Sequence, residues 1–311
     1  MEQPDGLSRW TAEHLGSGVA HVLWEAGHLS WVGAVALRDD RVAVIKARPW
    51  RDALVGCYEA HRQAWQAGFP CPEPLTGPIV LSPLAVSAEA HLPGGAPGRG
   101  DDPTLAERTA TALAWLMAVL PEPSAIPSID PPPPWTGWSD PLAQPWPPPD
   151  EGPPLNDRPE TESLRTLAAA LNERLRDPGV VDRVGHADWY QGNLRWRGDE
   201  LLAADDWDSL ARLPKAAIAG CAAASFRPGI PGVNPDTWPG AELSDTEEFL
   251  ASYQRATGRP FSSEEVEIAW AAGLWQRVFD AAKAVVDGRP NDAADKMRDA
   301  SRRARLAGIS G

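Results

Sequence analysis

Short apolar runs rich in β-branched residues fill the first ninety positions of the chain. Three of them, residues 19–25, 31–37 and 41–47, are separated only by turn-forming residues, which predicts an antiparallel meander. Apolar residues then recur at helical spacing over residues 51–67, which predicts one helix. Residues 78–86 supply one or two further strands. The beginning of the chain is therefore predicted to be a small sheet with a single helix.

Helical spacing dominates the rest of the chain. Thr104 and Glu107 form a capping-box pattern in front of an apolar face that stops before Pro121. A hairpin is predicted over residues 194–204, and further helices are predicted at residues 160–176, at 242–257, from Ser262 and from Asn291. The change of pattern divides the chain into a β-rich part, residues 1–92, and a mainly helical part, residues 93–311.

Residues 121–159 interrupt this pattern with a high density of proline and tryptophan. Proline removes a backbone donor and fixes φ, so we expect an extended insertion rather than regular helix or sheet. Its tryptophans Trp135, Trp138 and Trp146 either pack the insertion onto the body or line a pocket.

Composition narrows the classes of function. A net charge of −14 argues against nucleic acid as the main partner, because phosphate backbones require a basic face. The sequence has neither a long apolar run nor a secretory signal, so we expect no membrane partner. Three scattered cysteines indicate neither a disulfide framework nor a zinc site and favour a reducing, cytoplasmic setting.

The stretch GHADWYQGN, residues 185–193, concentrates hydrogen-bonding side chains, and the predicted hairpin returns the chain from it to DDWD, residues 205–208. Asn193 and Asp206 offer the oxygen ligands that Mg²⁺ prefers, which leaves Asp188 to meet a substrate hydroxyl. Polar turns are the alternative, because Asp and Asn are common in turns.

Together, HADWYQGN and DDWD resemble the catalytic loop and the metal motif of the aminoglycoside phosphotransferase family of small-molecule kinases. The resemblance implies an α+β, two-lobed protein-kinase-like fold with a small antiparallel-sheet N-lobe and a larger helical C-lobe. It implies that Asp188 is the catalytic base, that His186 buttresses the loop, and that Asn193 and Asp206 bind Mg²⁺. Asp208 is a further candidate, either as a metal ligand or as a residue that supports the ligands. Residues 189–191 depart from the family pattern, which suggests an unusual substrate-facing surface.

The same resemblance assigns residues of the N-lobe to the nucleotide. Lys46, at the end of an apolar strand, is expected to bind the phosphates of ATP or GTP, held by Glu59 of the following helix. Asp52 and Glu73 are alternatives to Glu59. The main chain around Glu89, Ala90 and His91 is expected to receive the adenine as the hinge between the lobes.

The function implied is an ATP- or GTP-dependent O-phosphotransferase that acts on a hydroxyl of a small molecule. The acceptor is either an aminoglycoside-like antibiotic, in which case the enzyme confers resistance, or a metabolite such as a sugar, an amino alcohol or an amino-acid derivative. A catalytically silent nucleotide-binding regulator on the same fold is a less favoured hypothesis. A metal-dependent hydrolase is disfavoured, because the acidic cluster lacks the ligands for two metals.

Overall fold

The structure is a computed structural model that describes residues 1–27, 29–139, 145–148, 152–176, 179–227 and 240–309. A five-stranded antiparallel sheet in the order β1-β2-β3-β5-β4 forms the N-terminal part. Its strands are β1 (Val19–Gly27), β2 (Trp31–Leu37), β3 (Val42–Pro49), β4 (Pro74–Leu81) and β5 (Leu84–Ala90). The meander and the two further strands are where the sequence pattern predicts them.

Two helices accompany this sheet. α2 (Ala53–Gln66) is the predicted helix, and α1 (Leu7–Leu15) is an additional one that the prediction of a single helix missed. α1 buries Leu7 and Trp10 against the sheet core. Its apolar stripe is short, and glycines in the left-handed region bound it at both ends.

The larger C-terminal part is helical with two small sheets. Its helices are α3 (Leu105–Val119), α4 (Glu162–Leu175), α5 (Lys215–Ser225), α6 (Leu243–Thr257), α7 (Ser263–Val286), α8 (Pro290–Lys296) and α9 (Ala300–Leu306). β6 (Asp182–His186) pairs with β9 (Leu210–Pro214), and β7 (Leu194–Arg197) pairs with β8 (Glu200–Ala204) as the predicted hairpin. The two-lobed α+β expectation is confirmed.

Helix α7 is the axis of the larger part, and α5 crosses it closely. A Cβ on Gly220 of α5 would overlap the backbone of Ala269 in α7, so only glycine allows this approach. α5 was not predicted, because its sequence is almost uniformly small and apolar and carries no periodicity. The capping box at Ser262 and Glu265 forms as predicted, whereas Thr104 makes no cap and instead donates to Asp102.

The Pro/Trp-rich segment is packed rather than free. Trp138 and Trp146 are fully buried, and Trp138 meets Trp275 of α7 edge to face with ring centroids 5.1 Å apart. Short 3-10 turns occur within the segment. At its start, the backbone of residues 127–128 crosses α2 at Gly56, where a Cβ would clash with it. The segment therefore connects the core of the larger lobe to the helix of the smaller one. Residues 140–144 and 149–151 of the predicted insertion lie outside the described residues.

The hydrophobic cores do not divide at residue 92. The sheet and α1 share one cluster, but Cys57, Ala60 and Ala64 of α2 belong to the core of the larger lobe. α2 is thus packed against the core of the larger lobe, and it also contacts β4 of the N-lobe sheet. Across the residues that the structure describes, none of the helices is both long enough and apolar enough to cross a membrane.

Candidate active site

The polar stretch begins at the end of β6. Residues 186–193 form a compact loop, which we call the catalytic loop. Asn193 donates from Nδ2 to both the carbonyl oxygen and the carboxylate Oδ2 of Asp188, each over 2.9 Å. The backbone N–H of Asp188 donates to Nδ1 of His186 over 3.2 Å. The three polar side chains that the sequence singled out are therefore held together by hydrogen bonds within one short loop.

His186 joins this loop to the next. Its Nε2 lies 3.1 Å from the carbonyl oxygen of Asp205, and because Nδ1 accepts from Asp188, Nε2 is the nitrogen that donates. Burial lowers the pKa of His186 below its ordinary value, which keeps the ring neutral as this pattern requires. These are the hydrogen bonds that a buttressing role needs.

The unusual residues of the loop face inward. Trp189 donates from Nε1 to the carbonyl of Thr109 in α3 over 3.0 Å. Gln191 donates to the hydroxyl of Thr109 over 2.9 Å and accepts from the N–H of Gly98 and from Trp196 Nε1. Both side chains are buried. The expectation that they mark a substrate-facing surface is therefore wrong for Trp189 and Gln191, which fasten the loop to α3.

The electrostatic surroundings of Asp188 favour a proton acceptor. Burial and the neighbouring carboxylate of Asp206 raise the pKa of Asp188 to about 7, against the opposing hydrogen bond from Asn193. A base with a pKa near the working pH is well matched to proton transfer.

A second loop, residues 205–209, which we call the metal loop, lies against the first. The N–H of Asp205 donates to the carbonyl of Asn193 over 2.8 Å, which brings Asp206 beside the catalytic loop. Burial acts to raise the pKa of Asp206, but the charges of Lys46 and Arg48 outweigh it, and the net shift is downward. Asp206 is therefore ionised, as a metal ligand must be.

The oxygens available in these loops fit a magnesium ion. Asn193 uses its Nδ2 for Asp188, and Asp206 uses its Oδ2 to accept from Ser209 over 2.9 Å. The remaining Oδ1 of each is the kind of hard oxygen that Mg²⁺ prefers, so these are the two residues that would hold the ion, together with substrate phosphates and water.

Asp205 is engaged elsewhere. Its carboxylate accepts from Arg195 Nε over 2.7 Å and Nη2 over 3.1 Å, and Arg195 also donates to the carbonyls of Leu92 and Gly94. Arg195 thus ties the linker between the lobes to the metal loop. Sequence reasoning missed this role, because the linker and the hairpin are a hundred residues apart in the chain.

One carboxylate oxygen of Asp208 is occupied by an ion pair. Its Oδ2 forms an ion pair with Arg48 of β3, two residues after Lys46. Its other oxygen, Oδ1, is buried and has no hydrogen-bond partner among the described residues, so the expected role of Asp208 at the metal site stays a prediction. The sequence does place Lys46 and Arg48 on the same face of one strand, because they are two residues apart.

Lys46 is buried on β3, and its partner differs from the expected one. Its Nζ lies 3.5 Å from Glu89 Oε2, whereas Glu59 accepts from its own helix neighbours Arg62 and Gln63. The expected Lys46–Glu59 pair is therefore wrong: Glu59 lies on the outer face of α2, and the strand residue Glu89 takes its place. Burial raises the pKa of Glu89, against the lowering effect of Lys46.

The predicted hinge begins where the sheet ends. The backbone N–H of Ala90 donates to the carbonyl oxygen of Glu73 over 2.8 Å. The backbone N–H of His91 donates to the carbonyl oxygen of Val42 over 3.3 Å. The side chain of Glu89 faces Lys46 rather than the linker. A role of Ala90 and His91 in nucleotide binding stays a prediction.

The Pro/Trp-rich segment reaches the same site from the other side. Trp135 is half-buried and donates from Nε1 to the carbonyl of Ala187 over 3.1 Å. On α7, Asp280 lies near enough to raise the pKa of Asp188, and it pairs with Lys296 of α8 at 3.7 Å. An aromatic residue thus contacts the backbone of the catalytic loop, and the charge of a carboxylate on α7 acts on Asp188.

No family sequence model and no curated protein matches the chain. Solved structures do match it in three dimensions. A thermostable mutant of aminoglycoside phosphotransferase APH(4)-Ia, in a ternary complex with ADP and hygromycin B, superposes with a TM-score of 0.62 at 15% identity and covers 98% of this chain and 100% of its own. The chain has the fold of the aminoglycoside phosphotransferases.

Two further structures are similar over almost the whole chain. Spectinomycin phosphotransferase APH(9)-Ia, in complex with ADP and spectinomycin, matches with a TM-score of 0.56 at 12% identity and covers 99% of this chain and 94% of its own. The amicoumacin kinase hAmiN, in complex with AMP-PNP, Ca²⁺ and Ami, matches with a TM-score of 0.60 at 13% identity and covers 92% of this chain and 88% of its own. The kinase-like architecture thus extends over both lobes.

Proposed function

We propose that the protein is a magnesium-dependent phosphotransferase that moves the terminal phosphoryl group of ATP or GTP to a hydroxyl of a small molecule. The observation that carries the proposal is the joining of the catalytic and metal loops. Asn193 holds the Asp188 carboxylate with its side chain and accepts from Asp205 with its backbone, so the base and the metal ligands share one frame.

The reaction follows from these positions. Asp188 accepts the proton of the acceptor hydroxyl as the new O–P bond forms and the bond from the terminal phosphorus to the bridging oxygen breaks, which releases the nucleoside diphosphate. Lys46, kept in place by Glu89, faces the negative charge of the phosphates. Asn193 and Asp206 would hold Mg²⁺, and the ion would supply positive charge against the phosphate oxygens.

His186 and Gln191 contribute through position. His186 orients the backbone of Asp188 and contacts the metal loop, and Gln191 fastens the catalytic loop to α3. Holding the reacting groups in one geometry is a large part of catalysis in phosphoryl transfer, because the protein has little covalent chemistry to perform.

The acceptor belongs to one of two classes, antibiotics with amino and hydroxyl groups or primary metabolites. The structural neighbours that act on antibiotics favour the first class.

A screen of acceptors tests the function. The purified protein is incubated with Mg²⁺ and ATP or GTP against aminoglycosides, other antibiotics, sugars and amino alcohols, and mass spectrometry looks for an acceptor that has gained one phosphoryl group. A product that requires Mg²⁺ supports the proposal. Mg²⁺-dependent nucleotide binding without any product across the panel would instead favour the silent regulator.

A further inference from the structure

Strand β3 carries two buried cations on one face. Lys46 and Arg48 are two residues apart, so their side chains leave the strand on the same side, and each is less than one-tenth exposed. Lys46 pairs with Glu89 inside the sheet, whereas Arg48 pairs with Asp208 in the metal loop. The second pair therefore connects the N-lobe sheet to the loop that carries Asp206.

The pair of Arg48 and Asp208 is not a surface contact. The side chain of Arg48 is about one-tenth exposed and that of Asp208 about one-fifth. A buried guanidinium without a partner is costly, and breaking a buried pair by removing one member leaves that cost uncompensated. Arg48 thus strongly favours the position of Asp208 that the structure shows.

Asp206 adopts a conformation that needs such support. Its backbone lies in the left-handed region, with φ 62° and ψ 51°, where a residue other than glycine is strained. Ser209 holds it from one side, donating its hydroxyl to the Asp206 carboxylate and its N–H to the Asp206 carbonyl. Between them, Trp207 is buried against His61 with the two rings stacked 4.4 Å apart.

We infer that Arg48 is a positioning residue for the metal ligand Asp206. By fixing Asp208 it pins the far side of the strained turn and keeps the Asp206 carboxylate directed at the catalytic loop. This inference rests on the proposed function for its consequence, magnesium binding, but the positioning itself is a property of the protein without ligands.

Hydrogen exchange on the unliganded protein tests the positioning directly. Arg48→Met and Asp208→Asn are each expected to speed exchange of the Ser209 amide, which closes the turn, at least about tenfold, and the double variant is expected to go no further than the faster single one. Amides of the catalytic loop are expected to change less than twofold. Glu59→Gln, which alters an ion pair on the outer face of α2, is the matched control.

Magnesium binding supplies the second readout. Calorimetry measures binding of AMP-PNP with and without Mg²⁺, and both single variants are expected to weaken the Mg²⁺-dependent part about tenfold while binding without the metal stays within twofold. Arg48→Lys, which keeps a cation for Asp208, is expected to lie between wild type and Arg48→Met, and it serves if Arg48→Met does not fold.

Unchanged exchange at the Ser209 amide, or additive effects in the double variant, would overturn the inference. A loss of metal-free nucleotide binding in Arg48→Met would also overturn it, because Arg48 would then be a phosphate ligand. If wild type itself shows no Mg²⁺-dependent binding of AMP-PNP, the proposed function fails, and the exchange experiment still judges the positioning.

Discussion

The catalytic loop and the metal loop lie side by side but are held in different ways. The catalytic loop is fixed by internal hydrogen bonds of Asn193 and His186. Hydrogen bonds of Trp189 and Gln191 also attach it to α3. The metal loop is fixed from outside, with Trp207 against His61 of α2 and Asp208 against Arg48 of β3. The base therefore depends on contacts within the larger lobe, whereas the metal loop depends on contacts with both lobes.

This difference gives the two lobes separate duties. Changes in α3 or in the catalytic loop are expected to act on proton transfer and on global stability. Changes in β3 or α2 are expected to act on metal and nucleotide binding. Because α2 packs into the core of the larger lobe, the two duties remain coupled through that helix.

The largest effect is expected on the base itself. Asp188→Asn keeps the shape of the side chain but removes its ability to accept a proton, so kcat is expected to fall about 10²- to 10⁴-fold. Nucleotide affinity is expected to stay within a few-fold. Steady-state kinetics with the acceptor found in the screen measures this. Asp182→Asn, at the start of the strand β6 that leads into the catalytic loop and in a partly exposed ion pair with Arg212, is the control. Turnover close to that of wild type would remove Asp188 from the mechanism.

The next largest effect is expected from breaking the attachment of the catalytic loop to α3. Gln191→Leu removes three hydrogen bonds and leaves the N–H of Gly98 and the indole of Trp196 without their acceptor. Because buried donors without partners cost about 1–3 kcal/mol each, we expect a loss of roughly 3 kcal/mol in the free energy of unfolding. Urea denaturation measures it, and the exposed Arg197→Ala serves as the control. A loss below about 1 kcal/mol would show that the loop is not held through Gln191.

The support of the metal loop is expected to be sensitive to acid. Burial lowers the pKa of His61 to about 3, against 6.5 in the unfolded chain. The unfolded state therefore binds the proton first, and stability falls as the pH drops below 6.5, by roughly 3 kcal/mol at pH 4.5. His61→Gln is expected to be less stable at pH 7 but to lose less on acidification. Unfolding curves from pH 7.5 to 4.5 measure this, and equal slopes for both proteins would contradict it.

The smallest effect is expected at Glu59. Its pairing with Arg62 is partly exposed, so Glu59→Gln is expected to change stability by less than about 1 kcal/mol and the KM for ATP by less than twofold. Glu89→Gln is the matched comparison, because it leaves Lys46 buried without its carboxylate, and there the KM for ATP is expected to rise about tenfold. Equal effects of the two substitutions would restore Glu59 as the partner of Lys46.

These two glutamates show where the sequence is sufficient and where it is not. The strands of the N-lobe and the hairpin depend on residues close together in the chain, and the pattern predicts them. The role of His186 in the catalytic loop follows only from the family resemblance, and the bonds from Asn193 to Asp188 were not predicted. The partners of Lys46 and Asp208 depend on which face of α2 turns inward and on how the lobes meet. Glu59 fits the helix spacing, but Ala60 and His61 occupy the buried face beside it.

Small residues hide other elements. α5 is missed because alanine and glycine give no amphipathic period, although their small size is what lets α5 approach α7. Trp189 and Gln191 look like surface variation in the sequence and are buried in the structure. A polar residue in a loop reveals its partner only when the facing helix is known.

The central claim is that the metal ligand comes from Asp206, turned toward Asn193, while its neighbour Asp205 secures the linker through Arg195. Calorimetric titration of Mg²⁺ and AMP-PNP into Asp206→Asn and Asp205→Asn tests it on two adjacent carboxylates. We expect Asp206→Asn to lose the Mg²⁺-dependent gain in nucleotide affinity and Asp205→Asn to keep it. An unchanged gain in Asp206→Asn, or a loss only in Asp205→Asn, would contradict the account.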